Sequence, residues 1–194
     1  MKSYSFNLAF ATSALLLALS PSCSASSLAQ NASVNPRSPL TCGNPDDSVF
    51  YYVMTSSSMP DNFYTALLPE VTNAVDNDGY AFGGVAARVF LTPELSTVPF
   101  YRAVNLPDAD HLYTTSAAEV DIAVEGGYIS EGISAYIYPS QICGSVPFYR
   151  IYNSAATEHF YTINETQRDS RLGSGGWADE GIAGYVLDIG PCAE

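Results

Sequence analysis

The chain has 194 residues, of which 7 are basic and 20 acidic, for a formal net charge of −13. So acidic a surface repels phosphate backbones and anionic lipid heads, which excludes nucleic acid and membrane surfaces as expected partners and leaves neutral glycans or cationic polymers and peptides open. With 47% apolar and 12% aromatic residues, a stretch of domain size can bury a real core, so disulfides would assist the fold without being its whole support.

Residues 1–25 read as a secretory signal peptide: Lys2 supplies the charged start, a short apolar run follows, and small residues close the segment at Cys23 and Ala25. The apolar run is too short for a good membrane anchor. Ser20, Pro21 and Ser22 do not make a lipidation context for Cys23. Residues 26–41 are mainly Ser, Asn, Ala, Gln and Pro with too little to build a core, and are expected to be a disordered leader. Asn31 lies there in a glycosylation sequon. The expected product is secreted and extracellular, and loss of Lys2 takes its charge from −13 to −14.

Residues 42–194 are expected to form a single domain built from three repeats, at about 49–97, 98–145 and 146–190. Cys42, Cys143 and Cys192 are left after cleavage, so one bridge and one odd thiol is the simplest count. Cys42 and Cys143 each stand a few residues before a repeat opens, whereas Cys42 with Cys192 would tie the domain ends together; both pairings stay open. No spacing suggests zinc, and no cofactor or metal is expected. Each repeat opens with a strand of period 2, as in 100–104 and 148–152, turns through a loop, and returns as a second strand at 111–115 or 159–163.

A helix of two or three turns then follows. Ser116 and Glu119 form a capping box, Asn164 and Gln167 repeat the pattern, and the first copy has Pro69 and Glu70 at the matching places. Val120, Ala123 and Val124 give its apolar stripe, and glycines near 79, 126 and 175 end it. An aromatic (Tyr80, Tyr128, Trp177), a Gly bend and a strand at 85–90, 133–138 or 182–187 complete the unit, with a fourth short strand possible around the aromatic. The fold class is α+β, mainly β: three tandem strand–strand–helix–strand repeats in a closed pseudo-threefold, β-trefoil-like arrangement, with an open row as the competing layout.

The HLYT and HFYT segments, the capped helix and the Gly-aromatic-x-x-Glu-Gly-x-x-x-Tyr ending resemble a family of secreted repeat domains of fungi and bacteria, catalogued as a domain of unknown function. The resemblance covers about 49–188. That family also occurs attached to secreted hydrolases, which implies an accessory or wall-associated binding role. It brings no catalytic residues to carry over.

Aligning the copies isolates a polar set that vanishes together from the first. Arg102 and Arg150 become Val53, Glu131 and Glu180 become Gly83, His111 and His159 become Asn62, and Tyr136 and Tyr185 become Arg88. One reading makes Arg102–Glu131 and Arg150–Glu180 ion pairs that lock the first strand to the last, since a buried survivor would be costly. The other makes the same eight residues the rim of ligand sites for sugar hydroxyls, two competent and one lapsed. His111 and His159 follow Asp110 and Glu158, but neighbours on a strand face opposite ways, so structural histidines donating to nearby backbone are expected. Asn73, Asp76 and Asp78 resemble calcium ligands only faintly and lack the spaced loop. Asn164 is a second sequon whose capping role competes with a glycan. The leading expectation is a secreted non-catalytic module for extracellular or cell-wall carbohydrate. A structural or protein-interaction domain is the alternative, and a small secreted hydrolase the third reading.

Overall fold

The computed structural model describes residues 42–56 and 58–190. The signal peptide, the leader, Asn31 and Cys192 lie outside the described residues.

The same order of elements recurs three times. The first copy is β1 (Val49–Ser56), β2 (Asp61–Thr65), α1 (Leu68–Asp76) and β3 (Ala81–Val89). The second is β4 (Val98–Asn105), β5 (Asp110–Thr114), α2 (Ala117–Glu125) and β6 (Ile129–Ile137). The third is β7 (Val146–Asn153), β8 (Glu158–Thr162), α3 (Glu165–Gly173) and β9 (Trp177–Val186). Each copy folds into one antiparallel sheet with its opening strand in the middle, in the orders β2-β1-β3, β5-β4-β6 and β8-β7-β9. The architecture is thus mainly β, three three-stranded sheets with three helices.

The last strand of each copy differs from the sequence expectation. Instead of a bend separating a short strand from a long one, a single strand runs through, with two register shifts against its neighbour. Gly84, Gly132 and Gly181 take φ of +112°, +83° and +82° at these irregularities. A residue without Cβ absorbs the bulge there, so the ladder continues past it.

The helix starts are half as expected. Ser116 Oγ accepts from the Glu119 amide and Asn164 Oδ1 from the Gln167 amide, at 3.2 and 3.0 Å. The reciprocal half is missing: the Glu119 and Gln167 side chains accept instead from Thr114 and Thr162. Of the expected apolar stripe only Val120 is buried, while Val124 is exposed.

Edge strands β2, β5 and β8 meet through tyrosines. The Tyr113 hydroxyl donates to the Tyr64 carbonyl and accepts from the Tyr64 amide; Tyr161 serves Tyr113, and Tyr64 serves Tyr161, in the same way. All six bonds are 2.7–2.9 Å, and the rings pack edge to face at 5.4–5.5 Å. Each hydroxyl therefore supplies the donor and acceptor that an adjoining strand would have given. Tyr51, Phe100 and Phe148 form the next layer of this core. Of the tyrosines whose exposure the sequence leaves open, Tyr113 and Tyr161 are buried and Tyr101 and Tyr149 lie partly open.

At the far ends of β3, β6 and β9, paired backbone bonds link Arg88 to Leu187, Phe90 to Tyr136 and Tyr138 to Tyr185. Every copy is thereby bonded to both others. Cys42 and Cys143 form a disulfide across 101 residues of sequence, which settles the choice left open by spacing. Among the described residues no helix is long and apolar enough to cross a membrane.

Candidate functional site

The polar set assembles between copies rather than within them. Where the first copy meets the second, Arg102 projects from the middle of β4 toward α1. Its two terminal nitrogens grip Glu70 at 2.8 and 3.0 Å, and its Nε lies 2.8 Å from Glu131 Oε2. The Glu131 approach is close but too poorly aligned for a hydrogen bond, so it acts as a charge contact. The junction of second and third copies sets Arg150 between Glu119 and Glu180 in the same way, with one terminal nitrogen bonded to Glu119 at 2.8 Å. The expected partners Glu131 and Glu180 are therefore present, and two further carboxylates that sequence reasoning assigned to helix capping join them.

The histidines are corrected in the same direction. Each ignores the acid beside it in sequence and binds an acid of the preceding copy: His111 Nδ1 lies 2.7 Å from Asp61 Oδ2, and His159 Nδ1 lies 2.7 Å from Asp110 Oδ2. The second oxygen of each aspartate accepts the histidine's own backbone amide. Tyr80 and Tyr128 donate to the same two aspartates. The expected backbone acceptor is thus replaced by a buried carboxylate. On the other side Nε2 of His111 and of His159 faces Glu131 and Glu180 at 3.8 and 3.4 Å.

Electrostatics follow from these contacts. The bond from Arg102 holds the Glu70 carboxyl below its usual range against partial burial. Partial burial pushes Glu119 upward, but the bonds from Arg150 and Thr114 outweigh it and the net shift is down. His159 lowers Glu180, again against burial. Burial disfavours charge on His159, yet Asp110 and Glu180 overcome that and raise its pKa.

Beside the first of these clusters lies a cavity of about 600 Å³. Glu70, Arg102, His111 and Glu131 line it together with Tyr80 and Val104. At the second cluster Tyr152, standing where Val104 stands, lies against His159 with ring centroids 4.5 Å apart and the planes tilted by 35°. The two clusters share their charges and differ in this cover. Tyr136 and Tyr185 are not brought to either: they pair with Pro99 and Pro147 and carry the bridges between sheets. Asn73 donates to Asp78, and no cluster of metal ligands occurs among the described residues. Asn164 caps the third helix through Oδ1, as its place in the sequence predicts.

The junction of third and first copies departs from both. Asn62 replaces the histidine and donates to Glu158 Oε1 at 2.7 Å and to the His159 carbonyl at 3.0 Å. Val53, Gly83 and Gln167 stand where the other junctions have arginine and two glutamates, and a cavity of about 690 Å³ opens there.

No curated protein and no solved structure matches the chain. Residues 50–187 match a family described as a domain of unknown function, DUF5648, and since that stretch is most of the chain, the protein belongs to this family.

Proposed function

We propose that the protein is a secreted, non-catalytic module that binds a neutral extracellular carbohydrate in the cleft between its first and second copies. The observation that carries this reading is the cavity of about 600 Å³ whose wall sets two partly open carboxylates and a guanidinium beside apolar surface. Sugar rings ask for that combination, because hydroxyls need charged or polar partners and the ring faces need apolar contact. The acidic net charge favours a neutral ligand over a polyanion. Export is supported by the opening segment of the sequence and by the disulfide. A closed pseudo-threefold, β-trefoil-like body is supported by the tyrosine cycle and the bridges that bond every copy to both others.

Both carboxylates at the cleft hold Arg102, so they serve as acceptors with a fixed direction more readily than as a free acid and base. This favours binding over hydrolysis. The structural reading remains the competitor, because the same contacts tie two copies together.

The test is Val104→Tyr, which copies the Tyr152 cover into the open junction without touching an ion pair. Glucan, mannan and chitin oligosaccharides are titrated against wild type and variant. Binding by the wild type that is lost in a variant of unchanged stability supports the cleft. Equal binding by both, or none by the wild type, overturns the proposal, and the second result returns the network to a purely structural role.

A further inference from the structure

We infer that the cavity between the third and first copies is a second, different site, which takes a small hydroxylated ring bearing one carboxylate, of the uronic acid kind, with Arg171 as its anchor.

At the other two junctions the helix contributes an acid and the following copy's strand contributes the arginine. Here the polarity is reversed. The strand offers Val53, the acid positions are Gln167 and Gly83, and a guanidinium enters from the helix side, at Arg171, where the other copies have Ala74 and Ala123. Arg171 lies over the Phe160 ring at 3.8 Å and against Trp177 at 5.1 Å. Stacking holds the guanidinium plane while leaving its N–H edge unused, the geometry that grips a carboxylate through two parallel bonds.

No acid takes that edge. Arg102 and Arg150 are held by glutamates, Arg168 by Glu165 and Asp169, and Arg88 by the Pro45 carbonyl. Among the described residues the Arg171 guanidinium forms no ion pair and no hydrogen bond, although acids outnumber bases 20 to 7 in the chain. Two acids of this junction are bonded elsewhere: Glu158, which feels the charge of Arg171 without bonding it, accepts from Asn62, and Asp188, which lines the cavity, accepts from the Gly190 amide. An orphan arginine in so acidic a chain marks a place where a negative group is to be supplied from outside.

The remaining lining narrows the ligand. Thr55, Asn164 and Gln167 are neutral and both donate and accept, which suits ring hydroxyls, and Phe160 and Val53 give apolar contact. Gly83 and Gly84 add no side chain of their own to the lining. No lining side chain supplies a second cation, so one carboxylate is the capacity of the site. Charges beyond about 8 Å are screened at physiological salt, so the distant acids do not cancel the local field of Arg171 for a single small anion. A long polyuronate, by contrast, meets the whole acidic surface and gains nothing from its extra charges.

The test uses the full secreted chain and methyl glucuronide, with methyl glucoside and the methyl ester of the glucuronide as uncharged counterparts and acetate as the bare carboxylate. Trp177, the single tryptophan, reports on the site by fluorescence, and calorimetry gives the affinity. The glucuronide is expected to bind about 10- to 100-fold more tightly than its two uncharged counterparts, the span expected for one charge-assisted contact. Acetate is expected to be weaker than the glucuronide. Arg171→Gln should remove the preference, Arg171→Lys should restore part of it, and Val104→Tyr, at the other cavity, should change nothing. The inference is overturned by equal binding of glucuronide and glucoside, by acetate matching the glucuronide, by an unchanged affinity in Arg171→Gln, or by no binding of the glucuronide at all. Because Val104→Tyr acts only on the first cleft, failure of one site is read separately from failure of the other.

Discussion

Tyr113→Phe removes one oxygen from the centre of the protein, and the cost can be worked out group by group. The Tyr113 ring is fully buried, and its hydroxyl is the partner of both the amide and the carbonyl of Tyr64. Phenylalanine keeps the edge-to-face packing and nearly all the apolar volume, so the loss is confined to two backbone groups left unpaired in a dry interior. Each such group costs about 1–3 kcal/mol, so the variant should lose about 2–6 kcal/mol. A domain of this size has roughly 5–15 kcal/mol in hand, so the single variant folds and its stability is measurable. Urea denaturation followed by circular dichroism is the assay, with an unchanged slope required so that the shift in midpoint can be read as stability. Tyr64→Phe and Tyr161→Phe remove equivalent bonds and should cost about the same. A loss below about 1 kcal/mol, or three unlike values, would refute the claim that the hydroxyls replace missing strand partners.

Three further outcomes are expected. Arg102→Val leaves Glu70 and Glu131 facing each other without their cation and should cost about 3 kcal/mol; adding Glu70→Gln and Glu131→Ala, which approaches the arrangement of the third junction, should recover most of it in the same denaturation assay. His159 has a raised pKa in the folded state, so its contribution is fully present below the unfolded value of about 6.5 and is lost as pH rises through the folded value; the midpoint difference between wild type and His159→Asn should therefore shrink with rising pH over that window, and a difference that grows would contradict the Asp110–His159 pairing. Replacing both Cys42 and Cys143 by alanine opens a loop of 101 residues and should cost about 2–5 kcal/mol, matched by adding reductant to the wild type.

Much of the fold was legible because it is locally encoded. Period-2 alternation located the two hairpin strands within two residues at each end, and Ser116 and Asn164 marked the helix starts. The bulged last strand was not legible, since a glycine between two apolar runs reads equally as a bend or as a bulge until the partner strand is known. The destination of Glu119 was hidden for a different reason. A glutamate three residues after a serine satisfies the capping pattern wherever its carboxylate points, and here an arginine from another copy offered a stronger partner than a backbone amide. The disulfide choice likewise depended on distance in space, to which spacing in sequence is blind.

The polar set changes by junction rather than by copy, which alignment of the copies alone conceals. A junction draws residues from two copies. Val53 and Gly83 come from the first copy, but the glutamate lost with them became Gln167 in the third, and the arginine gained is Arg171, also in the third. Read copy by copy, Gln167 is a neutral variant of a capping residue and Arg171 an unremarkable helix charge. Read across the junction, they are the second half of one exchange, since a glutamate left facing Val53 would have been a half-buried charge without a partner. The same rule explains a neutral pair elsewhere. Tyr51 carries a hydroxyl where Phe100 and Phe148 have none, and its partner at 2.8 Å is Ser134, which stands in the second copy where the others have Ala86 and Ala183. A buried oxygen added in one copy was satisfied from the next. Differences between repeats that look scattered within a copy become paired once each is set against the face it touches, and this pairing gives the three junctions of one repeating architecture three distinct chemistries.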